Sequence, residues 1–189
     1  MEFELAPFDL AEGYAAGIVS TDAMKEHLGV LHDDQDDLIG IYRDAAVDMV
    51  ERYCGIRLGA CTGLEWKAEA LPSRPCLGVW PVTAVSAVSW LDSDGDTVTG
   101  DASIWRIVRR DEIAVKPGSS LPSGVAAGVT ITFTAGFTDA NRPAALVQAV
   151  KMFAAHLFRH RESVSSGVQA GEIPLGFRQL CSAYRMPVI

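Results

Sequence analysis

A84-V-S-A-V-S-W-L-D-S-D-G-D96 runs from an alternating, β-rich series into three aspartates around a glycine. An EF-hand loop places oxygen ligands at positions 1, 3 and 5, glycine at 6 and a bidentate glutamate at 12. Counted from Asp92, the glycine falls at position 4 and the twelfth residue is Ser103, so that template fails. Asp-Gly between apolar runs is instead a tight-turn signal, because glycine takes positive φ without steric cost. The stretch predicts a β-hairpin, and its flanks decide what the hairpin belongs to.

Working outward, L64-E-W-K-A-E-A70 alternates like a strand, and G128-V-T-I-T-F-T134 is a β-branched and aromatic run. Shorter strands are expected at Thr97 to Thr99, Trp105 to Val108 and Glu112 to Val115. Residues 60–138 therefore read as a mostly antiparallel β insertion. Before it, S20-T-D-A-M-K-E-H-L28 predicts a short capped helix stopped by Gly29. A longer helix follows the acidic H32-D-D-Q-D-D37 and ends at Gly55, with Leu38, Ile41, Tyr42, Ala45, Met49, Val50 and Tyr53 expected to form its buried stripe. The aspartates suit the first turn, where the helix dipole favours negative charge. After the insertion, Asn141 is the expected cap of a helix with Pro143 in its first turn and a stripe of Leu146, Val150, Phe153 and Leu157. A Ser/Gly-rich linker, residues 163–171, leads to a last helix within the stretch PLGFRQLCSAY at residues 174–184. The layout predicts an α+β fold in which N- and C-terminal helices pack together around a β insertion. Its parts are 1–59, 60–138, 139–162 and a linker with a docking segment at 163–189.

The 189 residues carry a formal charge of −8, which argues against a surface that grips nucleic acid, since such binding rests on Lys and Arg neutralising phosphates. The charge is uneven. Residues 1–55 hold 13 acidic and 3 basic side chains, whereas residues 139–189 hold 3 acidic and 6 basic. Such a polarity suits head-to-tail contact between copies, or simply two differently solvated faces. Cys54, Cys61, Cys76 and Cys181 form no C-x-x-C pair, so reduced thiols in an intracellular protein are expected. The N-terminus lacks a signal-peptide pattern, and the long uncharged stretches are broken by Pro, Gly, Ser and Thr, so no membrane span is expected.

The search for chemistry yields little. No G-x-S-x-G, S-x-x-K, Walker loop or G-x-G-x-x-G occurs. His156 and His160 lie one helical turn apart with Glu162 beyond, a spacing for a metal pair or for a polar helix end between Arg159 and Arg161, and H-E-x-x-H is absent. His27 and His32 lack an identifiable partner for general-base work. Trp66, Trp80, Trp90 and Trp105 all fall in the β segment, either as a ligand platform or as packing between sheet faces. No catalytic residue, cofactor or metal is expected. A small metal-dependent hydrolase built on the histidine pair is the rival from another class.

The order of T21-D-A-M-K-E-H-L28, H32-D-D-Q-D-D-L-I39 and A45-A-V-D-M-V-E-R-Y-C-G55 resembles the opening of the tailed-phage head-to-tail connector family, adaptors of gene transfer agents included. Further stretches extend the likeness over residues 20 to 186: L71-P-S-R-P-C76, W80-P-V-T-A-V-S-A-V88, V129-T-I-T-F-T-A-G-F137, PAALVQAV at residues 143–150, H156-L-F-R-H-R-E162 and the closing PLGFRQLCSAYR at residues 174–185. The resemblance implies a non-enzymatic virion adaptor. It would form a ring, commonly of twelve copies, below the portal protein, pass the DNA channel to a stopper or tail-completion protein, and reside in the virion neck after synthesis in the host cytoplasm. On that reading, Phe177, Arg178, Leu180, Tyr184 and Arg185 are expected either to dock on the portal or to fold back on the protein's own helices. Asp33, Asp34, Asp36 and Asp37 would face Arg159 and Arg161 across the ring interface.

Overall fold

The computed structural model describes residues 2–160 and 175–185. In chain order the elements are β1 (Glu4–Leu5), α1 (Tyr14–Ile18), α2 (Thr21–Leu28), α3 (Asp36–Cys54), β2 (Cys61–Ala68), β3 (Val82–Leu91), β4 (Thr97–Gly100), β5 (Trp105–Ile107), β6 (Ile113–Val115), β7 (Ala127–Ala135), α4 (Ala144–Arg159) and α5 (Leu175–Ser182). The class is α+β, as the sequence predicts. Two compact units arise, one of residues 1–10 and 60–136 and one of residues 11–59 and 137–189.

The β unit is an antiparallel sheet in the order β1-β2-β7-β3-β4, with β5 and β6 as a separate pair. Its centre is β7, where Val129, Ile131, Phe133 and Ala135 are buried and the threonines between them are half-buried. Register follows from that alternation, since a slip of one residue would turn every apolar side chain outward. Leu64 and Trp66 of β2 face Phe133 and Ile131, and Val88 of β3 also faces Ile131. The two-residue β1, absent from the sequence reading, pairs Glu4 with Lys67 and Leu5 with Trp66. All four tryptophans are buried. Phe3 stacks on Trp66 at 5.8 Å, and Arg110 lies 4.4 Å over the Trp80 ring. The indoles are thus core, and none offers an open platform.

The D92-S-D-G95 stretch is the β3–β4 connection. The Asp92 carboxylate accepts the N–H groups of Asp94 (2.9 Å) and Asp96 (3.0 Å), and Gly95 has φ +86°. The aspartate side chain replaces ladder partners that the turn removes.

The helical unit is built on α3 and α4, which pack along each other. Ser20 caps α2 by accepting the Ala23 N–H at 3.1 Å, and Gly29 closes it at φ +74°. Two expectations need correction. The buried stripe of α3 is Ile39, Arg43, Ala46, Val47, Val50, Glu51 and Cys54. It is rotated from the expected one, and Ile41 is 63% exposed. The expected stripe missed the apolar Ile39, Ala46, Val47 and Cys54 together with Arg43, which donates to Thr21 and Asp44, and Glu51, whose carboxylate finds its partners inside the unit. Nor does Asn141 cap α4. Its side chain accepts from Thr138 N–H (2.7 Å) and Oγ1 (2.9 Å), fixing the turn before Pro143, the residue that precedes the helix without a side-chain cap.

Candidate assembly surfaces

The interior of the helical unit is organised by a carboxylate that the sequence reading missed. Glu51 is 2% exposed. It accepts from the Tyr14 hydroxyl at 2.5 Å, the Leu58 N–H at 2.7 Å and the Arg57 guanidinium at 2.7 Å. The same Tyr14 hydroxyl accepts the Gly59 N–H at 2.8 Å, and a Cβ on Gly59 would lie 2.7 Å from the tyrosine ring. Arg142, before α4, donates to the Leu58 carbonyl at 2.7 Å. These bonds anchor α1 and the loop after α3. A glutamate near a helix C-terminus opposes the dipole, and that misplacement was the available sequence signal.

Of the expected ring-interface acids, Asp33 and Asp36 are engaged within the protein. Lys25 of α2, largely buried, pairs with Asp33 and lies 2.9 Å from Asp36. Hydrogen bonding to Asp33, then to Asp36, holds the Lys25 ammonium above its ordinary value, and the same bond to Lys25 holds Asp33 below its own. Asp34 and Asp37 stand in solvent, with His32 3.7 Å from Asp34. Arg159 is exposed at the end of α4, and Arg161 lies outside the described residues.

The closing helix α5 lies on its own unit. Phe177 is fully buried, with ring centroids 5.4 Å from Tyr53 and 5.3 Å from Phe153. The Cys54 thiol donates to the Cys181 carbonyl at 3.8 Å, and Arg185 stands 5.0 Å over the Tyr53 ring. Arg178 is exposed, while Leu180 and Tyr184 are half-buried. The linker before α5 lies outside the described residues.

His156 and His160 come within 4.8 Å of each other and share a hollow with His27, Met152, Ala155 and Arg159. Burial, then the Lys151 and Arg159 charges, pushes His27 below the usual imidazole range, and burial followed by His160 does the same to His156. Among the described residues, no group of three or more His, Cys, Asp or Glu is disposed to hold a metal ion. Likewise no described helix is long and apolar enough to cross a membrane.

Residues 19–84, spanning α2, α3, β2 and the start of β3, match the family model of the phage gp6-like head-tail connector proteins. The fold of the chain is similar to that of chains in gene transfer agent (GTA) particles. One is from the neck of an empty GTA particle computed with C6 symmetry, 24% identical with a TM-score of 0.73, over 100% of this chain and 97% of that one. Another is from the neck of a native GTA particle computed with C12 symmetry, 24% identical at TM-score 0.72, over 98% and 97%. A third, from the virion of a native GTA particle, is 23% identical at TM-score 0.73, over 100% and 97%. No curated protein matches the chain.

Proposed function

We propose that this protein is a structural adaptor of the virion neck in a phage or phage-like particle, a ring component that joins the portal to the tail and continues the DNA channel. The connector-family match over residues 19–84 carries the reading. A whole-chain fold shared with neck chains of gene transfer agent particles supports it, as does the C12 symmetry of one of those necks for a ring of twelve. Ring formation requires two different, complementary surfaces related by a rotation that closes. The uneven charge along the chain supplies complementary surfaces, and a net charge of −8 keeps DNA in the lumen from adhering. No catalytic role is assigned to any residue.

Because Phe177 is already enclosed in its own unit, portal docking by the closing segment rests on its exposed face, with Arg178 as the outward charge and Arg185 beside Tyr53. The test is native mass spectrometry and light scattering of the protein alone and mixed with the portal ring of its own particle. A cyclic oligomer, or a stoichiometric complex with the portal, is expected. A monomer that ignores the portal but binds a tail component would instead support a stopper or tail-completion role. A monomer indifferent to both would overturn the neck assignment.

A further inference from the structure

Two features of the helical unit stand uncovered among the described residues, an exposed loop and a hollow. After Gly29, the loop at residues 30–34 presents Leu31 with 97% of its surface exposed, beside an Asp34 side chain that is 91% exposed. An apolar side chain held this far into water has no role in the fold of its own copy. The second feature is the hollow of about 320 Å³ lined by His27, Met152, Ala155, His156, Arg159 and His160. That is the space of roughly ten waters. Met152 and Ala155 supply apolar lining, while Arg159 and His160 are exposed at its margin.

The two cannot serve one another within a copy. Lys25 holds Asp33 and Asp36 on one side of α2, and His27, two residues on, faces the hollow. At about 100° per residue, side chains two apart point to nearly opposite sides of a helix. No residue of the 30–34 loop lines the hollow. A surface and its complement set apart on one copy give a heterologous contact, the kind that generates rings.

We propose that the Leu31 loop of one copy seats in the hollow of the next, with Leu31 against Met152 and Ala155 and Asp34 facing Arg159 and the histidines. This contact deepens the adaptor reading by naming the surfaces that close its ring. Charge complementarity selects a second copy as the occupant, because the loop presents the solvent-exposed Asp34 carboxylate and the hollow carries the exposed Arg159 at its margin beside three imidazoles. A carboxylate arriving there also offsets the Lys151 and Arg159 charges that disfavour protonation of His27.

The test is cross-linking of full-length protein carrying Cys76→Ser, which removes the exposed thiol, with His32→Cys on the loop and His160→Cys on the hollow margin. A short bismaleimide is applied with and without the portal ring. The expected result is a ladder of dimers, trimers and higher species from the double variant, and heterodimers alone when the two single variants are mixed. Adding Leu31→Asp should lower the cross-linked yield at least about tenfold, the loss typical of a central apolar anchor. Overturning results are a single variant that cross-links to itself as well as to the other, a ladder that survives Leu31→Asp, or an oligomer in native mass spectrometry that yields no ladder. The last would leave the ring standing and place its contact elsewhere. Neither oligomer, ladder nor portal binding would overturn the contact and the adaptor reading together.

Discussion

At the residue scale, Glu51 shows how one side chain sets the geometry of a helix. A buried carboxylate is tolerable only when its oxygens are satisfied, and here a tyrosine, a backbone N–H and an arginine do so. Glu51→Ala is expected to cost about 3–5 kcal/mol in urea unfolding, because it leaves buried donors without their acceptor. Tyr14→Phe should cost about 1–2 kcal/mol, and Gly59→Ala should also destabilise, since the new methyl meets the tyrosine ring at 2.7 Å. The histidines yield a pH dependence. His27 and His156 hold protons less tightly than an ordinary imidazole of 6.5, so the unfolded chain binds more protons as pH falls below that value. Their stabilising contribution is therefore complete above about pH 6.5 and lost as pH drops toward their lowered folded values. Melting temperature should fall between pH 7 and pH 5, with a smaller fall in the His27→Gln, His156→Gln double variant. Lys151, Arg159 and His160 are the charges that face these rings.

Among the elements, α5 depends most on a single contact set. Phe177 fills the space between Tyr53 and Phe153, so Phe177→Ala should cost about 3–5 kcal/mol if the site does not collapse. The variant's α5 should be cleaved faster by added protease, whereas Arg178→Ala should leave both stability and cleavage unchanged. If Arg178→Ala nonetheless weakens portal binding in a pull-down, the exposed side of α5 is a docking face; unchanged binding assigns α5 to the fold alone. The β3–β4 turn is a smaller case. Gly95 at φ +86° predicts that Gly95→Ala costs about 1 kcal/mol in thermal unfolding, because alanine pays for a left-handed backbone that glycine adopts freely. For the elements themselves, the Ser20 cap, the glycine stops and the strand alternation were legible in advance, whereas the expected Asn141 cap of α4 does not form. Ser20, Gly29 and Gly55 bounded their helices, and the β7 alternation placed its strand. The rotation of α3 was missed, since apolar residues lie on both sides of the helix and the choice between them falls to packing, with Arg43 and Glu51 buried beside Ile39, Ala46, Val47 and Cys54. β1 was missed because a two-residue strand is created by its neighbour β2 rather than by its own pattern.

At the scale of the whole molecule, composition and the order of short motifs pointed toward the adaptor reading proposed above rather than toward an enzyme or a nucleic-acid binder. No single motif did so. The family match spans only residues 19–84, and the remainder of the likeness is one of fold. Sequence by itself determined the α+β class, the helix stops, the central strands and the acidic-to-basic polarity, because these depend on local backbone preference, side-chain period and net charge. Only the tertiary structure decided which acids are free. It neutralised Asp33 and Asp36 against Lys25, left Asp34 and Asp37 in solvent, and enclosed Phe177. It also left Leu31 almost fully exposed and opened a hollow that no residue of its loop lines. Pairings between residues distant in the chain carry no local periodic signal, so they emerge only when packing brings their partners together.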